Sequence, residues 1–249
     1  MKKINSFSIP SLLEEEPWVK IPSSKDLKDW KKIDEIKFNQ QNRQIEKYKM
    51  FIKTFDFLTE NQIFGDYFEF GCHRCRTFRM VVSLAYMHQI ENMNFYAFDS
   101  FDGLPELENS VSVKNWKRGS LTTSESDFMR ILEKHGLNYK KITPIKGFYK
   151  DSLNDKLINR LLKNNVKTSL VTIDCDLYES AVPVFEFIDD FLQEGTILYL
   201  DDLFVGNKGN QNKGVSKAFQ EYIKKSKWSF NQHLEVSWWG RTYITSPKI

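Results

Sequence analysis

An α/β fold with a doubly wound, mostly parallel sheet is predicted by three observations. Short apolar runs alternate with stretches of helical period, the runs close on glycine or aspartate, and each helix carries an apolar stripe that must be buried on a sheet face. Strand and helix in alternation demand right-handed crossovers, which put helices on both faces. At 249 residues, 41% apolar and 28% charged, the chain has the composition of a globular protein with one large domain or two small ones.

The first 40 residues are mixed and carry Pro10, Pro17 and Pro22 without a sustained period, so residues 1–40 read as an arm or cap before a domain over 41–249. Ile45, Tyr48, Ile52 and Phe55 fall three or four apart and predict one buried face of a helix ending before Gly65. Asp66 to Gly71, DYFEFG, is the first strand, and Phe78, Val81, Val82 and Ala85 form the stripe of the next helix. Asn94 to Asp99 is the second strand. Ser124 with Asp127 resembles a capping box, opening a helix that buries Phe128, Ile131 and Leu132 and closes at Gly136. Lys141 to Gly147 is the third strand, and Leu157, Ile158, Leu161 and Leu162 give the next helix, with Asn154 as its cap.

Ser169 to Asp176, SLVTIDCD, is β-branched and nearly uncharged, which suits the centre of a parallel sheet. A helix follows from about Ser180, with Pro183 in its first turn, Val184, Ile188 and Phe191 inward and Gly195 at its end. Thr196 to Asp202 is the fifth strand, and Val215, Ala218, Phe219, Tyr222 and Ile223 mark the last helix. His233 to Thr245, with Gly240 at a turn, reads as a C-terminal antiparallel hairpin.

No apolar run approaches the roughly 18 residues of a membrane span, and the N-terminus lacks the apolar stretch of a signal peptide. Cys72, Cys75 and Cys175 are an odd number without a secretion signal and read as reduced thiols; a cytoplasmic location is expected, with no membrane partner. The 36 basic and 33 acidic residues are interleaved, which argues against nucleic acid as a partner, since that needs a concentrated basic face.

In such sheets a ligand sits beyond the carboxyl ends of the strands. Those ends carry Glu69 and Gly71, then Asp99, then Asp174 and Asp176, then Asp201 and Asp202. On an extended chain Asp174 and Asp176 point the same way, into one cleft beside Asp201 and Asp202. Four like charges raise one another's pKa, so a divalent cation among them is favoured, and an all-oxygen set suits magnesium, calcium or manganese better than zinc. Asp189 and Asp190, mid-helix, are expected to be merely solvated. Glu69, Gly71 and Asp99 suit a nucleoside: glycine admits a ligand to the backbone and an acid takes ribose hydroxyls. The loop CHRCRT after Gly71 lacks the further glycines that seat a pyrophosphate, so adenosine without one fits better.

The segments YFEFGCHRCRTF, FYAFDSFDGLPE, WKRGS, IKGFYKDSL, TIDCDLYES and LYLDDLF, in that order, resemble the macrocin O-methyltransferase (TylF-type) family of class I S-adenosylmethionine-dependent, divalent-metal-dependent methyltransferases. The resemblance runs from about Tyr48 to Tyr243 and implies a Rossmann-like methyltransferase sheet with magnesium or another divalent cation. It implies that Glu69 and Gly71 lie beside the methionine part of S-adenosylmethionine and Asp99 binds its ribose. Ser100 and Phe101 would neighbour the adenosine, and Asp151 and Ser152 the adenine. Asp174, Asp201 and Asp202 would be metal ligands, and Asp176 a further ligand or the general base.

The sequence departs from the family at Cys75 and Arg76, where a pair of glycines is usual; side chains there would narrow the cofactor's approach, or Arg76 would pair with its carboxylate. Cys72, His73 and Cys75 lack the fourth ligand of a structural zinc. The implied chemistry is methyl transfer to a chelating hydroxyl of a sugar or glycosylated metabolite, with Asp174 and Asp176 as the catalytic residues and an aspartate accepting the proton. The loop Gly103 to Gly119 with Trp116, and the helix around Tyr48, would form the lid; Trp116 and Phe148 are equally well read as core aromatics. Rival readings are a nucleotide-sugar glycosyltransferase using the Asp174/Asp176 pair, which leaves Glu69, Gly71 and Asp99 unexplained, and a non-catalytic binding module. A haloacid-dehalogenase-like phosphatase fits less well, since Leu177 and Tyr178 stand where it usually has threonine. The helix Ile45 to Leu58 offers a homodimer contact.

Overall fold

The computed structural model describes residues 24–106, 117–137 and 139–248. It divides into two units, Met1–Asn42 and Arg43–Ile249. Within the first, the Trp30 ring meets the edge of Phe38 at 6.2 Å, at the start of the long helix α1 (Lys32–Glu60).

The second unit alternates β1 (Asp66–Phe70), α2 (Arg76–Met87), β2 (Phe95–Asp99), α3 (Glu125–Lys134), β3 (Ile142–Lys146), α4 (Tyr149–Ser152), α5 (Asp155–Lys163), β4 (Thr168–Ile173), α6 (Tyr178–Ile188), β5 (Ile197–Leu200) and α7 (Gly214–Lys225). It ends in the hairpin β6 (Trp228–Val236) and β7 (Gly240–Pro247). The sheet order is β3-β2-β1-β4-β5-β7-β6; the four pairings among β1 to β5 are parallel, and β7 runs antiparallel to both β5 and β6. This is the doubly wound sheet with a C-terminal antiparallel pair that the periodicities predict.

Alternation along the strands splits the core. Tyr67, Phe95, Ala97, Leu170, Ile197 and Tyr199 face α1, α2 and α3, while Phe68, Phe70, Phe98, Val171, Ile173 and Leu200 face α5, α6 and α7. Ser124 caps α3 by accepting the Asp127 N–H at 3.1 Å, and Asn154 caps α5 by accepting the Leu157 N–H at 3.1 Å.

Four expectations need correction. Helix α1 buries Lys47, Met50, Phe51, Thr54, Phe55 and Leu58, whereas Ile45, Tyr48 and Ile52 are exposed. The helix is rolled so that Phe51 meets Tyr199 edge-on at 5.7 Å, a packing partner that no local period reveals. Strand β4 stops at Ile173, so Asp174 and Asp176 lie beyond it; Asp176 is left-handed, with φ 61°, and the two do not sit on one extended chain. Helix α6 starts at Tyr178, with the Ala181 N–H bonded to the Leu177 carbonyl at 2.9 Å, which places Pro183 past the first turn. Asp189 is not merely solvated: it caps the end of α6 and accepts hydrogen bonds from Tyr222 at 2.7 Å and Ser226 at 2.5 Å, tying α6 to the α7–β6 junction.

Gly71 serves the fold before any ligand. Its φ is +90°, and a Cβ there would stand 1.8 Å from the Asp174 carbonyl oxygen. The side chain is missing because the β4 end occupies its place. Gly71→Ala is therefore expected to cost about 3 kcal/mol or more of unfolding free energy, read from denaturant titration; a change under about 1 kcal/mol would show that the close approach is relaxed at no cost.

Candidate active site

Backbone bonds carry the parallel ladder past the strand ends and bring the acidic residues level. Gly71 N–H bonds Phe98 O at 3.0 Å, Asp174 N–H bonds Phe70 O at 2.9 Å, and Asp201 N–H bonds Ile173 O at 3.0 Å. Asp174, Asp201 and Asp202 each present one carboxylate oxygen, all within 4.8 Å of one another. The 3.1 Å bond from the Asp176 N–H to Asp202 Oδ2 holds the loop after β4 against the end of β5.

A lysine that the sequence analysis did not single out enters this cluster. Lys47 Nζ, on α1, lies 2.9 Å from Asp174 Oδ2 and 2.8 Å from Asp201 Oδ2, and the residue is 6% exposed. The other oxygen of Asp201, Oδ1, accepts the Tyr199 hydroxyl and, at 3.0 Å, the Trp239 indole N–H. Asp201 thus has both oxygens occupied.

One ammonium faces several carboxylates, and their proton affinities diverge. Burial would raise Asp201, but Lys47 and the hydroxyl of Tyr199 outweigh it and hold the carboxyl below its usual range. Burial and the charge of Asp201 push Asp174 up to about 6 despite Lys47. Burial, then the neighbouring aspartates, push Asp176 and Asp202 well above the usual carboxylate range. Burial alone would lower the pKa of Lys47, yet Asp174 and Asp201 together drive it well up. The cluster is short of positive charge. Three hard oxygen donors in reach of one another, under-neutralised by a single lysine, fit a divalent cation of the magnesium, calcium or manganese kind.

A second group lies at the ends of β1 and β2. Asp99 accepts the backbone N–H groups of Cys72 and Phe101, each at 2.7 Å, and burial raises its pKa against those bonds. Glu69 is buried; the Tyr67 hydroxyl lies between its carboxyl and Thr172 Oγ1, and burial lifts its pKa to about 8. Ser100 Oγ donates to Gly103 O at 2.7 Å. The Phe101 ring is buried against Phe128, with centroids 5.5 Å apart, and so faces the core. Asp151 is exposed on α4, Ser152 Oγ bonds Phe148 O at 3.1 Å, and Phe148 is half-buried. The Gly147 N–H bonds Asp99 O at 3.0 Å and keeps this loop beside β2.

Cys75 adopts φ 56°, a glycine-like conformation, and its side chain is wholly buried in the core. Arg76 begins α2 with ordinary helical φ and is partly exposed. His73 Nδ1 is 3.1 Å from Thr123 Oγ1, while Cys72 and Cys75 are buried free thiols. The loop part of the expected lid, Gly103 to Gly119, lies largely outside the described residues, Trp116 included, whereas the helix around Tyr48 is described as part of α1. Besides Lys47, sequence reasoning missed Tyr67, Tyr199 and Trp239. Two of these had a signal: Tyr67-x-Glu69 and Tyr199-x-Asp201 put a hydroxyl and an acid on the same sheet face by the two-residue strand period.

The sequence profile described as Macrocin-O-methyltransferase (TylF) matches residues 40–240. No curated protein matches the chain in sequence. The chain is similar in structure to the O-methyltransferase NovP, with 17% identity, 80% of this chain and 79% of that one covered, and a TM-score of 0.63. It is similar to the calicheamicin methyltransferase CalS11 at 16% identity, with 96% and 98% covered and a TM-score of 0.64. An apo structure of CalS11, described as a TDP-rhamnose 3'-O-methyltransferase, gives 16% identity, 91% and 87% covered and a TM-score of 0.57. The O-methyltransferase from Bacillus cereus in complex with SAH gives 12% identity, 80% and 81% covered and a TM-score of 0.50. These likenesses show the class I methyltransferase fold.

The raised pKa of Glu69 sets a pH dependence. Its carboxyl ionises near 4.5 when unfolded and near 8 when folded, so this group's penalty is absent at acid pH and grows as pH rises through that interval. Glu69→Gln imitates the protonated acid. The variant is expected to gain stability over the wild type by up to about 1.4 kcal/mol per pH unit between pH 5 and 8. A stability difference that stays flat with pH would show that Glu69 is ionised in the fold.

Proposed function

The chain belongs to the macrocin-O-methyltransferase family, and on that premise we propose that it moves a methyl group from S-adenosylmethionine to a hydroxyl of a sugar or related small molecule. The observation that carries this reading is the pairing, along one edge of the parallel sheet, of an Asp99 group suited to a nucleoside with an Asp174–Asp201–Asp202 cluster suited to a hydroxyl acceptor. The catalytic domain spans residues 41–249.

Glu69 and Gly71 lie beside the methionine portion, Asp99 takes the ribose hydroxyls, and Ser100, Phe101, Asp151 and Ser152 belong to the adenosine side. Phe101 contributes its backbone, since its ring is in the core. Asp174, Asp201 and Asp202 hold a divalent cation, magnesium or another hard ion, which when bound supplies positive charge that lowers the pKa of the acceptor hydroxyl. Asp176, half-buried among like charges, has its proton affinity raised above that of a solvated aspartate, so it is suited to accept the acceptor's proton. The acceptor oxygen forms a bond to the methyl carbon as the carbon–sulfur bond breaks, leaving S-adenosylhomocysteine. The protein's share is to hold both partners in line and to take the proton.

A sugar acceptor is supported by the likeness to CalS11, described as a TDP-rhamnose 3'-O-methyltransferase. Calorimetry is expected to show S-adenosylmethionine and S-adenosylhomocysteine binding in the micromolar range, lost in Asp99→Ala. Transfer from radiolabelled S-adenosylmethionine to sugar hydroxyls is expected to fall by about 100-fold or more in Asp174→Ala and Asp202→Ala, with S-adenosylhomocysteine binding intact. Failure of the wild type to bind either compound would sink the proposal.

A further inference from the structure

The cluster read above as a divalent-cation site already holds a cation. Lys47 Nζ sits at 2.9 and 2.8 Å from the Oδ2 atoms of Asp174 and Asp201. Asp201 has no other oxygen to offer, because Oδ1 accepts from both Tyr199 and Trp239, two rigid groups whose positions are set by β5 and the hairpin turn. A divalent ion bonds carboxylate oxygens at about 2.0–2.6 Å. On the Oδ2 atoms it would therefore stand almost against the ammonium, with no protein anion between them.

We propose that Lys47 and the divalent cation compete for Asp174 and Asp201. Lys47 is a positioning residue that holds the acids together in the metal-free protein and withdraws from them when the ion binds. The inference rests on the reading of Asp174, Asp201 and Asp202 as metal ligands. Two features suit this exchange. The lysine stem is long and flexible, so the ammonium can retract while α1 stays docked through Met50, Phe51, Phe55 and Leu58. Asp201 is buried and Asp174 half-buried, so without either cation they would repel one another and loosen the strand ends.

The test uses chelator-treated full-length protein and Mn2+ or Mg2+ alone, without S-adenosylmethionine. Lys47→Met is expected to bind Mn2+ at least tenfold more tightly than wild type by calorimetry. It should melt lower than wild type without metal and rise further on saturation. Lys47→Arg, which keeps the charge, is expected to stay near wild-type affinity. Equal or weaker binding by Lys47→Met would overturn the competition while leaving the metal reading standing. No Mn2+ binding by wild type or variants at millimolar concentration would overturn both.

A second measurement needs no variant. In wild type, mild amine acylation followed by peptide mass spectrometry is expected to leave the buried Lys47 unmodified without metal and to label it severalfold more with Mn2+. Labelling that does not respond to Mn2+, in protein shown by calorimetry to bind it, overturns the proposal.

Discussion

Charge compensation at the ends of the parallel strands is the constraint on which the rest of the structure depends. The sheet order brings Asp174, Asp176, Asp201 and Asp202 together without regard to their mutual repulsion, because the ladder bonds at Phe70, Phe98 and Ile173 set the alignment. Lys47 answers that repulsion from a distant part of the chain. Its demand for a buried position explains why α1 turns Lys47, Met50, Phe51 and Phe55 inward and leaves Ile45, Tyr48 and Ile52 in solvent. One ammonium is not enough for all the acids, and the raised proton affinities of Asp174, Asp176 and Asp202 express the remaining deficit.

The supporting groups are placed by the strand period. Tyr67 and Tyr199 each stand two residues before an acid, so each hydroxyl reaches the carboxyl that follows it in the chain. Trp239 closes the Asp201 side from the hairpin, which makes the antiparallel addition to the sheet part of the site's wall as well as a cover for the β5 edge. At the ends of β1 and β2, Asp99 is held by two backbone N–H groups from the loops after those strands, so its orientation depends on backbone geometry and not on a counter-ion. The two halves of the site are organised by different physics. One is governed by paired charges, the other by peptide dipoles.

Much of this was legible in the sequence. The order of strands and helices, the two side-chain caps at Ser124 and Asn154, and the C-terminal hairpin follow from local periods and local hydrogen bonds, which nearby residues decide. The acids at the strand ends were visible because a parallel sheet places its strand ends on one edge. Where the reading failed, a distant partner intervened. The α1 face depended on Tyr199 and the acids; Asp189 looked solvated because Tyr222 and Ser226 lie more than thirty residues away. Asp176 looked collinear with Asp174 because nothing local announces a left-handed residue after the strand.

By itself the sequence determined the fold class, the element order and which residue types meet at the sheet edge, since hydrophobic period and strand-end position are properties of short segments. Only the tertiary structure decided how those groups are neutralised. It supplied Lys47 to Asp174 and Asp201, gave Asp201 two neutral donors, and turned Gly71 into a close contact with the Asp174 backbone. Electrostatic energy falls off with distance in space and not along the chain, so a charge's partner is settled when the chain packs.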